Sequence, residues 1–435
     1  MILSALHEDT LFPAIMFSFV GSLSCFIFGP YVGSWVDRTE RKKCLQISLY
    51  IFHGATAVNG FVMGILVHLV SIGKVDTLLE WHFFVPFSVA CLVSAVAELA
   101  NMASGVSLEK DWAIVVAQHD ERPLLEVNAM LKRIDLFSNV LAPLFFGLIL
   151  AFTNSVVGLI FVSIWNLVSM VPEVILVHLI FQSVPALAQK PEQSRDESPK
   201  HPLKALLSGW SIYLTHKVSL TSLAYVLLYI TVLSGGVSII SYLNSLGVSP
   251  IWIAVFSGVA SVMGILSTLV VVPLVSYFGN VLAGQIFLAL QLSFLVLSVF
   301  SFFFFSEESS PIRIFFFLAG IVLSRCGLWL FDMVEVQQIQ ILVEPEHRGI
   351  FNATESALTN LASLVILGLG LIFNHPSQFK WLVIISFSCV TLANVLYFLW
   401  WQLFLKGVKQ IVERTTDPTF DDQPQPLLSE EADFV

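Results

Sequence analysis

Three polar side chains in one apolar run carry the first chemical signal. Asn166, Ser169 and Glu173 interrupt the segment IWNLVSMVPEVIL (164–176), and spacings of three and four put them on one helical face. Amide, hydroxyl and carboxylate oxygens on a shared face suit hard or borderline divalent cations. The same residues can instead make interhelical hydrogen bonds, with Glu173 neutral or near an interface. Pro172, next to Glu173, can free a backbone carbonyl. A second group is Gly33-Ser34-Trp35-Val36-Asp37-Arg38-Thr39-Glu40-Arg41-Lys42, a G-x-x-x-D-x-x-x-R-K pattern. Its glycine lets helix ends approach, and Asp37, Arg38 and Arg41 can form a charge latch near helix termini; the alternative is a cationic anchor alone. Asp135, just after Lys132 and Arg133, is an acidic cavity or gate candidate, or an ion-pair partner of those neighbours. Arg325, Asp332, Glu335, Gln337 and Gln340 form a fourth cluster. Arg325 and Asp332, seven apart, share a face and can act as a moving charge pair or be paired structurally with Arg348.

The elements that hold these residues are membrane helices. The chain has 435 residues, 56% of them apolar, only 12% charged, with a net charge of -10 and 37 phenylalanines; the mean hydropathy is +0.84. A soluble domain carries about 25% charged residues. This composition excludes a disordered protein, a disulfide scaffold, a nucleic-acid binder and a cytosolic enzyme. Spanning the bilayer takes about 20 mostly apolar residues. Eleven runs qualify: 10–34, 46–71, 81–107, 127–152, 156–182, 218–245, 250–273, 281–306, 312–343, 349–373 and 380–406. Backbone groups in lipid must pair internally, so the runs are helices. Cys25, Cys44, Cys91, Cys326 and Cys389 form no CxxC pair and read as packing residues.

Basic residues orient the helices. Arg38, Arg41, Lys42 and Lys43, then Lys110, Arg122, Lys132 and Arg133, then Lys190, Arg195, Lys200, Lys204 and Lys217, and finally Arg348, Lys406, Lys409 and Arg414 fall on one side. The other side has Lys74, Arg313 and Lys380. The positive-inside rule makes the first side cytosolic, with the C-terminus inside and Met1 outside. The polar segment 183–217 divides the chain into five helices (1–182) and six (218–406), followed by an acidic tail, 407–435, expected to be disordered. A central linker between bundles resembles the major facilitator superfamily, which has six plus six helices. In that superfamily the G-x-x-x-D-x-x-x-R-[RK] loop follows the second helix. Here it follows the first, so one upstream helix is expected to be missing from this chain.

At the level of whole blocks the chain is identified as a member of the ferroportins, solute carrier family 40. The resemblance rests on GSWVDRTER (33–41), EKDWAIVVA (109–117), NAMLKRIDLFSNVLAPL (128–144), IWNLVSMVPEVIL (164–176), SRCGLWLFD (324–332) and EHRGIFNATES (346–356). It implies a major facilitator fold and export of Fe²⁺ or a related divalent metal. It implies that Asn166, Ser169 and Glu173 belong to an N-half metal site, that Asp135 matches a family aspartate needed for transport, and that Arg325 matches an intramembrane arginine. The family's aspartate and histidine on its first helix have no counterpart here. Its C-half cysteine and histidine align with Val237 and Ile366, which cannot bind metal, and hormone control through that cysteine is not expected. Ser234-Gly235-Gly236 keep the glycines that break a helix at mid-membrane. A family glutamine aligns with Phe52; the adjacent His53 could replace that donor, although packing is the plainer reading of a lone histidine in an apolar helix.

The expectation is therefore a monomeric multi-pass transporter working by alternating access, with a divalent metal as cargo and no cofactor. The sequence carries no nucleophile–base pair and no HExxH motif, so no enzyme is expected. The other readings are a transporter of a metal chelate or organic anion, and a truncated, non-transporting form. Glu344, Glu346, His347 and Arg348 form a second charged loop, a C-half counterpart of the latch at 37–42. Leu427-Leu428 among acidic residues resembles a sorting signal, which leaves plasma membrane and vacuolar or endosomal membrane both open.

Overall fold

A computed structural model of the chain describes residues 12–72, 81–118, 120–188, 202–234, 237–305, 310–373 and 375–415. The described residues form helices and connections, with no strand among them. The long helices are α1 (Phe12–Arg38), α2 (Arg41–Ser71), α3 (Trp81–Ser107), α4 (Glu121–Phe152) and α5 (Ser155–Ser183). A short α6 (Pro202–Thr215) precedes the pair α7 (Ser219–Leu227) and α8 (Val237–Ser245). Then come α9 (Pro250–Phe278), α10 (Asn280–Phe304), α11 (Pro311–Leu342), α12 (Arg348–Ile372) and α13 (Phe379–Thr415). Among the described residues ten helices are long and apolar enough to cross a membrane. The expected run 218–245 holds two short helices, α7 and α8, and is not among the ten.

The helices sort into two compact units that do not follow chain order. One comprises 1–119, 139–215 and 343–364; the other comprises 120–138, 216–342 and 365–435. Helices α4 and α12 therefore contribute one segment to each. In the first unit, Met63 and Leu66 of α2 pack on Phe83, Phe87, Ala90 and Cys91 of α3. Cys25, Cys44 and Cys91 are buried, as packing residues are. In the second unit, α10 and α11 come close because both present small residues. A methyl group on Gly320 would lie 2.8 Å from the Phe294 carbonyl oxygen, and one on Gly327 would lie 2.5 Å from that of Phe287.

Two sequence expectations change. The segment 183–217 is not a solvated linker throughout: Pro185–Ala188 form a 3₁₀ turn and 202–215 form α6. Proline at the first helical position and the apolar positions of LKALLSGWSIYL favour this helix. Its Tyr213 is fully buried in the first unit, with its ring 4.9 Å from that of Phe351, while Gly209 seats against Pro30 and Ile350. Likewise the tail does not begin at 407, because α13 continues its helical ladder to Thr415. Residues 416–435, including Leu427-Leu428, lie outside the described residues.

The close approach of α10 and α11 is directly testable. Gly327→Leu is expected to force the two helices apart and destabilise the protein by about 3 kcal/mol. Thermal unfolding in detergent measures it; an unchanged midpoint would remove this contact from the account.

Candidate functional site

The polar face of α5 meets α2 inside the first unit. Gly60 lets α2 approach: a methyl there would collide with Ser163 and sit 3.1 Å from the Leu159 carbonyl oxygen. Seven residues earlier on the same α2 face, His53 turns its ring onto α5. Its Nδ1 is 3.2 Å from Asn166 Oδ1 and its Nε2 is 2.9 Å from Glu173 Oε2. The Glu173 side chain leans toward the helix N-terminus, as helical side chains do, and so shares one imidazole with a residue two turns away.

Donor and acceptor roles follow from chemistry. Asn166 Nδ2 donates to the Val162 carbonyl at 2.9 Å, so the amide oxygen faces the ring. That oxygen can only accept, which puts the ring hydrogen on Nδ1. The lone pair of Nε2 then faces a carboxylate oxygen, which also accepts. A doubly protonated ring donates Nε2–H to this carboxylate at 2.9 Å, and the neutral Nδ1–H form leaves the Nε2 lone pair there for a metal ion. The His53 side chain is 5% exposed and that of Glu173 is 43% exposed, so the ring is fixed by packing while the carboxylate has an open side. Ser169 Oγ donates to the Asn166 carbonyl at 3.3 Å, within its own helix. Among the described residues no group of three or more His, Cys, Asp or Glu side chains could hold a metal ion.

The residues of the G-x-x-x-D-x-x-x-R-K pattern are in the same unit. The buried Asp37 carboxylate accepts from the amides of Gly349 at 2.8 Å and Ile350 at 2.9 Å. These are unpaired donors of the first turn of α12, where the helix dipole favours negative charge. Gly33 and Gly349 are required by the close approach, since a methyl on Gly349 would collide with Asp37. Arg41 makes a bidentate pair with Asp111, both contacts 2.9 Å. Arg38 Nε donates to the Ser34 carbonyl of its own helix, and Arg348 donates to the Val343 carbonyl while interacting electrostatically with Asp111 and Asp37.

The second unit holds the other candidates. Asp332 is paired with Lys132 at 2.9 Å and accepts from Tyr225 OH at 2.6 Å. Its ion-pair partner is thus Lys132. Arg133 donates to Thr268 Oγ1 and to the Thr268 carbonyl. Asp135 is exposed and belongs to this unit, apart from Asn166, Ser169 and Glu173. Arg325 donates to the Leu233 carbonyl at 2.6 Å, in the non-helical stretch between α7 and α8. The break therefore starts after Leu227, earlier than the glycines indicated. Gly235 and Gly236 themselves lie outside the described residues.

Comparison with known proteins decides the family. The family model "Ferroportin1 (FPN1)" matches residues 1–390. The chain belongs to the ferroportin family. Human ferroportin is 27% identical, with the alignment covering 90% of this chain and 85% of the human protein. A bacterial homologue of the iron transporter ferroportin, crystallised outward-facing with soaked iron, is 26% identical, superposes with a TM-score of 0.78 and covers 92% of each chain. The sugar transporter FucP, a major facilitator protein in its outward conformation, is 13% identical with a TM-score of 0.63 over 92% of this chain and 93% of its own, a likeness of fold alone. This ferroportin-family chain is an integral multi-pass membrane protein with a major facilitator-like fold, a metal transporter and not an enzyme.

Sequence reasoning left His53 out of the site. The available signal was its position beside Phe52, which aligns with a family donor. Asp111 was likewise visible only as part of a matched block. Asp37→Ala should deprive two buried amides of their acceptor, at a cost of about 1–3 kcal/mol. Hydrogen exchange across residues 348–354 is expected to quicken about tenfold or more. Unchanged exchange would show that Asp37 does not hold the start of α12.

Proposed function

We propose that this chain carries Fe²⁺ or a related divalent metal ion across the membrane, outward from the cytosol, by alternating access. The observation that carries the reading is the His53–Glu173 contact: an imidazole and a carboxylate facing each other within membrane-spanning helices, where an ionisable group is costly and marks a pathway. Asn166 supports His53, Ser169 lies on the same α5 face, and the open side of Glu173 gives the ion an entry. A related bacterial protein studied with soaked iron supports iron as the cargo. Asp135 acts as a further acidic cavity group in the other unit. Asp37, Arg38, Arg41 and Arg348 form a latch that makes and breaks at a helix end during the cycle, while Arg325 and Asp332 hold the broken crossing and its neighbour. The distribution of Lys and Arg supports a cytosolic C-terminus. We assign the protein to the plasma membrane or a vacuolar or endosomal membrane, as a monomer with no resident cofactor.

A second reading draws on the small number of strong ligands. With two such side chains at the site, a metal that arrives with ligands of its own, as a small chelate, would also fit.

Efflux from proteoliposomes loaded with Fe²⁺, Co²⁺ or Mn²⁺ tests the first reading against the second. Glu173→Ala is expected to reduce free-metal flux at least about tenfold, the scale of losing a ligand or its support, and Asp135→Asn to reduce it as well. Correctly inserted protein that moves no free ion would overturn the first reading. Flux of a chelate that is indifferent to Glu173→Ala would establish the second.

A further inference from the structure

We propose that His53 is a metal ligand and sets the ion preference of the site, favouring Co²⁺, Ni²⁺ and Zn²⁺ over Mn²⁺ and Mg²⁺. This rests on the reading of the His53–Glu173 contact as the site of a transported divalent metal.

Geometry comes first. Nε2 and Oε2 are 2.9 Å apart. Two adjacent ligands, each about 2.1 Å from one ion, are about 3.0 Å apart in an octahedral site and about 3.4 Å apart in a tetrahedral one. An ion can therefore take both atoms with a small rotation of the carboxylate and no movement of either helix. The second support is orientation. A ligating histidine nearly always donates its other ring N–H to a carbonyl or carboxylate, which fixes the tautomer and aims the free nitrogen. Asn166 Oδ1 occupies that place at 3.2 Å from Nδ1, and its own orientation is fixed by the Nδ2 bond to the Val162 carbonyl. The third is the division of mobility: the ring is enclosed, and the carboxylate is open on one side. The fixed partner defines the site and the mobile one admits the ion.

The preference follows from the donor type. Oxygen donors alone, as on the polar face of α5, would accept Mg²⁺ and Mn²⁺ readily. One imidazole nitrogen biases the same position toward ions that bind nitrogen more strongly, and for such sites affinity rises from Mn²⁺ through Fe²⁺ and Co²⁺ to Ni²⁺. Fe²⁺ would thus be carried, near the weak end of the useful range.

The test reads the full chain in detergent, first without any substitution. Co²⁺ is added, and the proton spectrum is searched for a strongly shifted resonance that vanishes in D₂O. That is the signal of an imidazole N–H on a metal-bound ring, here Nδ1–H of His53. Competition of Co²⁺, Ni²⁺, Zn²⁺ and Mn²⁺ for the site is then compared in the unaltered chain, His53→Gln and Glu173→Ala. The expected result is the exchangeable resonance in the unaltered chain, and about a tenfold or greater loss of Co²⁺ and Ni²⁺ affinity in His53→Gln with Mn²⁺ much less affected. Metal binding that Glu173→Ala weakens, with no imidazole resonance, would overturn the proposal and leave the metal site standing. Absence of binding by any of the four ions would instead overturn the underlying site. The chain has ten histidines, so the resonance is assigned to His53 by its loss in His53→Gln, or in His53→Asn where the first variant fails to insert; a resonance that persists in both would overturn the proposal.

Discussion

In hydrocarbon no backbone amide or carbonyl can turn to water, so every departure from a continuous helix must be satisfied by a named side chain. The interruption between α7 and α8 shows how closely this is obeyed. The Val232 amide donates to Ser386 Oγ, the Leu233 amide to Thr231 Oγ1, and the Leu233 carbonyl accepts from Arg325. At the start of the break, the amides of Leu228, Tyr229 and Ile230 bond three residues back. Arg325 is thus a structural necessity of the broken helix. Its charge comes with the five donors that make it an effective replacement for a lost helical bond.

The same constraint explains the buried polar spine of α11. Gln338 donates to Tyr397 OH and accepts from Thr221; Gln340 exchanges two bonds with Asn128; Gln337 reaches the Glu121 carbonyl. Gln338 ties α11 to α13 and α7, and Gln337 and Gln340 both tie it to α4. Small residues let the helices touch, and the amides fix which helices touch. In the first unit the corresponding task falls to Asp37, whose carboxylate serves the orphan amides at the start of α12. Helix α6 reinforces the same place, with Gly209 on Pro30 and Ile350 and Tyr213 on Phe351.

What was legible in the sequence reflects which of these interactions leave a local mark. The spans were legible because lipid dictates their length and composition. Asp37 and Arg41 were legible as a contiguous pattern, and Asn166, Ser169 and Glu173 as a shared helical face. The partners of Asp37 were not, because they are backbone amides and any residue supplies one. Lys132 was not visible as the partner of Asp332, since two hundred positions separate them and only packing joins them. The break after Leu227 was missed because the glycines at 235 and 236 carry the obvious signal, whereas the bonds that sustain the break come from Arg325 and Ser386, on other helices. His53 was the most consequential omission. Its neighbours on α2 are apolar, and its meaning comes from two residues of α5 that lie a hundred and more positions away.

The His53–Glu173 contact joins a buried imidazole to a carboxylate that is open on one side, and either a proton or a metal ion satisfies both atoms. A structural metal site closes on its ion with four protein ligands and does not let go. Among the described residues no cluster of three such ligands exists. In the proposed site two strong ligands, one enclosed and one open to one side, would select an ion and still exchange it. Adding a third strong ligand beside Glu173 would raise affinity at the expense of release, and release is the step a transporter cannot lose. The sparseness of the site is therefore consistent with its use, and the packed ring of His53 is what keeps so few ligands selective.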